Sequence, residues 1–240
     1  MASLVTPLAP VKVASIYKGD LPARMAQCTP DTAAALAAVV EDLRSLGFGL
    51  RLSDLFRSRA MQKQAHEDYV TGRKKAFSPP PGASMHEAGR AMDIDLGSIG
   101  VPLGRFWEIA RARGFHPVID QPIASRSEAW HFDCRGSHHA VYEYVRQGKA
   151  GVAMPPYTQM AQSAIVAIGV EVDALPDQGV AFLQSALIRL GFDPGRIDGI
   201  LGERTRGALR EAGCPDAGDV AAFLSERLRA AFPLEYPAAG

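Results

Sequence analysis

The stretch that decides the fold is "SMHEAGRAMDIDL", Ser84 to Leu96. His86 precedes a tight-turn candidate, Gly89, and "AMDIDL" then reads as a short strand carrying Asp93. A second stretch, "SEAWHFD" from Ser127 to Asp133, sets Glu128 and His131 around Trp130, again running into a strand. Imidazole and carboxylate are both zinc donors. Three protein ligands leave the fourth position open, as catalytic sites require. His86, Asp93 and His131 are therefore candidate ligands for one Zn2+ per chain. Asp95, on the same strand face as Asp93, is the main rival, and Asp133 the next.

The helical motif H-E-x-x-H is absent, because Ala88, Gly89 and Arg90 follow His86 and Glu87. The ligands must come from a loop and two strands. Glu128 is the candidate general base, able to take a proton from water and return it to a leaving amine. Arg57, at the end of the strand read in "LRLSDLF", is a fixed cation suited to a carbonyl oxygen or carboxylate. Taken singly, each residue has an ordinary structural alternative: a packed histidine, a capping aspartate, a surface ion pair. The argument rests on their joint occurrence. His66, His116, His138 and His139 are further histidines, with His138 and His139 read as surface or capping residues at a helix start.

The bulk properties exclude several classes. The chain has 240 residues with 26 basic and 26 acidic side chains, and 47% of it is apolar. No basic excess points to nucleic acid, and no apolar run suits a membrane span. Cys28, Cys134 and Cys214 are odd in number and widely spaced, which fits neither a disulfide framework nor a cysteine zinc finger. The first residues form no clear secretion leader. Export by another route, or a leader missing from this sequence, is the expectation.

"TPDTAAALAAVVEDLRSLGFG" predicts a helix capped at Thr29, with Leu36, Val39, Val40, Leu43 and Leu46 inward. Further helices are predicted in "SRAMQKQAHEDYVTG", "GRFWEIARARGF" and "HHAVYEYVRQG". The basic run Arg73, Lys74 and Lys75 opens a proline-rich loop and reads as a solvated face. Helices and strands without strict alternation indicate an α+β domain over residues 1–152. Residues 153–178 read as a linker or loose connection, in which "AQSAIVAIGVEV" is read as a helix of unassigned domain, and 179–240 as a small all-α domain.

Three of these motifs, in this order, resemble the signatures of zinc D-alanyl-D-alanine carboxypeptidases and related peptidoglycan peptidases of the hedgehog/D,D-peptidase fold. They are Arg57, Ser58 and Gln62 in "FRSRAMQ"; Ser84, His86, Gly89, Ala91, Asp93 and Ile94; and Glu128 to His131 in "E-x-W-H". The resemblance implies zinc on His86, Asp93 and His131, with Glu128 as base. It also implies that Arg57 contacts substrate or the oxyanion and Ser84 the substrate, and Trp130 is a further candidate for substrate binding. "LQSALIRLGFDPGRIDGILGERTRGAL", Leu183 to Leu209, resembles a peptidoglycan-binding module, although Glu211, Ala212 and Gly213 replace its usual aromatic-glutamine ending. The implied activity is D,D-cleavage of peptidoglycan stem peptides, by a monomer acting in the periplasm or cell wall and released by a phage-type lysis route or exported by a leader missing from this sequence. The alternatives are an L-alanyl-D-glutamate endopeptidase of the endolysin type and a non-catalytic wall-binding module with a structural zinc.

Overall fold

Pro30 opens the first helix, at a position where its missing N–H costs nothing. Thr29 stands at the cap, its hydroxyl donating to Asp31 Oδ1 at 2.7 Å. In the computed structural model, which describes residues 6–151, 154–215 and 218–237, helix α1 runs Pro30–Ser45. Leu36, Val39 and Leu43 are buried, each worth roughly 1.5–3 kcal/mol. Val40 is only half-buried and Leu46 is exposed, so the inward stripe is narrower than the sequence predicts.

The chain divides into two compact units: Leu8–Gly136, and Ser137 onward together with Thr6 and Pro7. In the first unit, β1 (Ala9–Pro10) pairs with β2 (Gln27–Cys28). The main sheet contains β3 (Leu52–Asp54), β4 (Ala91–Ile94), β5 (Phe115–Pro117) and β6 (His131–Cys134). It is antiparallel, in the order β3-β4-β6-β5. Helices α2 (Arg59–Val70) and α3 (Leu103–Ala112) complete the unit. Strands β4 and β6 are buried along their whole length, so they lack the one-sided alternation of an edge strand. Met92, paired with Phe132, points into the apolar core. One residue on in β4, Asp93 lies directly opposite His131 and is also in register with Asp54 of β3. Alternation along the strands thus puts Asp54, Asp93 and His131 in one row across three strands.

His86 reaches that row from a 3₁₀ turn, Met85–Ala88, rather than an open loop. Gly89 closes the turn at φ 63°, and a Cβ there would meet Leu8 Cδ2 at 2.7 Å and Cys28 Cα at 3.0 Å. Arg90 then enters β4 fully buried, donating to both oxygens of Asp31 at 2.8 and 3.0 Å. This bidentate pair ties the first turn of α1 to the strand that carries Asp93.

The second unit is helical: α4 (His139–Arg146), α5 (Pro156–Ala167), α6 (Gln178–Arg189), α7 (Glu203–Glu211) and α8 (Val220–Ala231). Three expectations need correction here. The compact units part at Gly136, not near 152, and the segment read as a loose connection contains helix α5. Nearly every residue of α5 from Gln159 to Ala167 is buried. A helix buried on all sides loses the amphipathic period that marks a helix in sequence. His138, read as a surface or capping residue, is fully buried between Ser163 Oγ (2.7 Å) and Glu235 Oε1 (3.2 Å). Among the described residues no helix is long and apolar enough to cross a membrane.

Candidate active site

The donor atoms of His86, Asp93 and His131 all lie within 4.8 Å of one another, and all three residues are buried. His86 Nε2 is 3.2 Å and His131 Nδ1 2.8 Å from the same oxygen, Asp93 Oδ1. Metal bonds of about 2.1 Å would set tetrahedral donors roughly 3.4 Å apart, so the spacing suits a single ion.

The outer partners sharpen this fit. His86 Nδ1 lies 2.8 Å from the carbonyl of Leu55, which can only accept, so Nδ1 carries the hydrogen. In the neutral ring Nε2 then turns a lone pair on Asp93. His131 Nε2 faces Asp133 Oδ1 at 3.0 Å, the carboxylate–histidine arrangement that orients metal-binding imidazoles. Its Nδ1 likewise turns toward Asp93. With both rings neutral, acceptors therefore converge on acceptors, and either a proton or a metal ion resolves the conflict.

The electrostatics agree. Burial opposes a charge on Asp93, but His86 and His131 outweigh it and hold the carboxyl well below the usual range. Burial also opposes a charge on His131, yet Asp133 and Asp93 push its imidazole up to about 10. The pocket attracts positive charge, and a proton there competes with a metal ion.

Arg57 stands behind Asp93. Its Nη2 donates to Asp93 Oδ2 at 3.0 Å, its Nε to Asp54 Oδ2 at 2.5 Å and its Nη1 to Gln62 Oε1 at 3.3 Å. Gln62 in turn donates to Ser78 and to the Pro79 carbonyl, fixing the proline-rich loop. Ser58 caps α2 by accepting from the Met61 N–H. The three quoted residues of "FRSRAMQ" thus have distinct tasks. Ser84 is buried and caps the 3₁₀ turn, accepting from the His86 N–H at 3.3 Å, so its hydroxyl is engaged in placing His86.

Glu128 sits in the turn before β6, its carbonyl accepting from the His131 N–H at 3.0 Å. Among the described residues it alone, apart from glycines, has a positive φ, 66°. Such strain costs on the order of 1–3 kcal/mol and collects at functional positions. Burial raises the Glu128 carboxyl above its ordinary value; His131 opposes that shift and Asp93 adds to it. The side chain therefore shares the field of the cluster. Of the rival ligands, Asp133 lies behind His131, and Asp95 lies past the end of β4, paired with Arg51.

A cleft of about 520 Å³ opens beside the row, lined by Tyr17, Asp54, Arg57, Lys74, Asp93 and Trp130 among others. Trp130 is half-buried there, while its backbone carbonyl accepts from Ile94. Sequence reasoning did not find Asp54 or Lys74. An aspartate in a strand and a lysine in a basic loop carry no distinguishing local signal.

With this geometry in hand, comparison with known proteins gives the class. A family model described as D-alanyl-D-alanine carboxypeptidase (VanY) matches residues 25–108. A second, described as a putative peptidoglycan binding domain, matches residues 176–212. Residues 25–108 are thus similar to a D-alanyl-D-alanine carboxypeptidase domain, and residues 176–212 to a peptidoglycan-binding domain. The first match includes Arg57, Ser84, His86 and Asp93 and ends before Glu128 and His131. Comparison with curated proteins gives no match. Among solved structures, the LdcB LD-carboxypeptidase is 19% identical with a TM-score of 0.42, over 52% of this chain and 66% of that one. An L,D-carboxypeptidase DacB from Streptococcus pneumoniae is 22% identical (TM-score 0.37; 55% and 76% covered). DacB from strain D39 is 23% identical (TM-score 0.37; 57% and 80%). The chain thus spans just under two thirds of the first of these, and such loose likenesses say nothing of its activity.

Proposed function

We propose that the protein is a zinc-dependent peptidase of the cell wall that hydrolyses peptide bonds in peptidoglycan stem peptides, of the D,D-carboxypeptidase type. The observation that carries this reading is the convergence of three donors on one point, each histidine held from behind by an acceptor, with a strained glutamate beside them. His86, Asp93 and His131 are the proposed ligands. A divalent cation there supplies Lewis acidity and water activation at neutral pH. Glu128 accepts the proton of the attacking water and delivers it to the leaving amine. Arg57 holds Asp93 at the angle the ligand set needs. Trp130 forms a wall of the substrate cleft. The module that includes residues 176–212 binds the wall polymer, so that each later encounter of the first unit with substrate becomes intramolecular.

The test is digestion of crosslinked and uncrosslinked stem peptides, with products identified by mass. The expected result is release of free D-alanine or splitting of a D-Ala crosslink, abolished by chelation and slowed by about a hundredfold or more in Glu128→Gln. Cleavage only between L-Ala and D-Glu would replace the D,D assignment. No cleavage of any peptide by zinc-loaded protein would remove the peptidase reading.

A further inference from the structure

The cleft beside the proposed metal site is lined by two cations, Arg57 and Lys74. They differ in what remains of their bonding capacity. Arg57 has each of its three nitrogens engaged, on Asp54, Gln62 and Asp93, and is itself buried. A substrate carboxylate drawn to Arg57 would have to compete with two carboxylates already in place. Lys74 is half-buried, and its backbone is anchored by an N–H bond to the Asp68 carbonyl at 2.9 Å. Among the described residues, no acid forms an ion pair with its ammonium. The neighbouring acids are committed elsewhere: Asp68 to Arg73, Asp95 to Arg51, and Asp54 and Asp93 to Arg57. Glu128 feels the charge of Lys74, which favours its ionised form, so the ammonium is within electrostatic range of the proposed base.

We propose that Lys74 is the specificity-determining cation of the cleft and receives the carboxylate of the bound peptide, while Arg57 serves to position Asp93. The proposal rests on the peptidase reading of the same site. An ammonium on a flexible stem in a partly dry cleft is a point charge that can follow a carboxylate into place. The apolar sides of Tyr17 and Trp130 lie in the same cleft and lower its polarity, which strengthens such a pair. Two carboxylates of a stem peptide could fill this role: the C-terminal one next to the scissile bond, or that of an internal D-glutamate. The C-terminal group is the expected one, because D,D-carboxypeptidase action requires its recognition.

The experiment is equilibrium binding of three peptides to the full-length protein by calorimetry: one ending in D-Ala-D-Ala, its C-terminal amide, and its D-Glu→D-Gln version. Each is measured with wild type, Lys74→Met and Lys74→Arg. Lys74→Met keeps the stem and removes the charge. Affinity for the free acid should fall about tenfold, the scale of one hydrogen bond to a charged group. Binding of the amide should stay as it is in wild type, and Lys74→Arg should restore most of the loss. In turnover the same change should appear in KM rather than kcat. A loss confined to peptides that retain D-Glu would support Lys74 as the carboxylate site and assign it the internal acid. Equal loss for all three peptides, no loss for any, or no binding of the free acid by wild type would overturn the proposal. The two readings separate cleanly. Hydrolysis with an unchanged KM in Lys74→Met sinks the role of Lys74 alone. Charge-selective binding without hydrolysis by wild type sinks the peptidase and leaves Lys74 in place.

Discussion

His131 in the sheet unit and His138 in the helical unit are both buried, and each has a partner at both ring nitrogens. The partners differ in kind. His131 lies between two carboxylates, Asp93 and Asp133. His138 lies between a carboxylate, Glu235, and a hydroxyl, Ser163, which can donate as readily as accept. Ser163 passes its remaining capacity to Ser185 at 2.6 Å. The same contrast holds for the amides. Gln184 accepts from the N–H groups of Asp198 and Gly199 and donates to Asp198 Oδ1 and the Ile200 carbonyl. That network closes on itself and holds the turn in which Gly199, at φ 69°, passes so close to Asp177 that a Cβ would sit 2.9 Å from its carbonyl oxygen. A buried polar network that satisfies itself builds a fold. One whose acceptors face one another is completed by something it binds.

The contrast can be broken by experiment, most severely at His86. In His86→Ala the bound zinc, read by elemental analysis, should fall to background, and hydrolysis should vanish with it while the sheet unit stays folded by circular dichroism. Full zinc occupancy in that variant would end the ligand assignment. The opposite outcome is expected at Gln184. Gln184→Ala strands several buried backbone groups, each worth about 1–3 kcal/mol when left unpaired. Thermal and denaturant melts should show a destabilised helical unit, with hydrolysis of short soluble peptides unaltered. A drop in soluble-peptide turnover at constant stability would show that the two networks are not separate in purpose. The smallest effect belongs to Glu128. At its positive φ, Glu128→Gly should be more stable than Glu128→Ala by about 1 kcal/mol, since only alanine pays for the left-handed backbone. Equal stability would remove strain from the account of that residue.

The convergence of His86, Asp93 and His131 was legible because histidine and aspartate are rare in apolar surroundings, and "AMDI" and "HFDC" are plainly apolar. The strand period put Asp93 on one face and Met92 on the other. It also nominated Asp95 as a rival, which lies past the end of β4, paired with Arg51 and outside the His86, Asp93 and His131 cluster. Arg57 was found as a cation, but nothing local in "DLFRS" reveals that its fork bonds Asp54, Gln62 and Asp93. Lys74 was illegible for the same reason, since loop conformation decides which way a basic run faces. His138 depends on Glu235, a partner 97 residues away. The extent of the helical unit was hidden because the helix read in "AQSAIVAIGVEV", which overlaps α5, has no polar face to say what it packs against. A truncation at residue 179, as the sequence alone would suggest, cuts α6 after its first residue, Gln178, and strips that helix from the unit to which buried α5 belongs.

The row across the sheet also bears on how the chain is held together. Asp93 and His131 are 38 residues apart, and all three cysteines are free. An ion gripping both would act as a covalent bridge does, by closing a loop in the unfolded chain. A loop of that length is worth about 4 kcal/mol of chain entropy. A protein with no disulfides would then carry its one crosslink inside its own reaction centre, and stripping the metal would loosen the molecule as well as silence it.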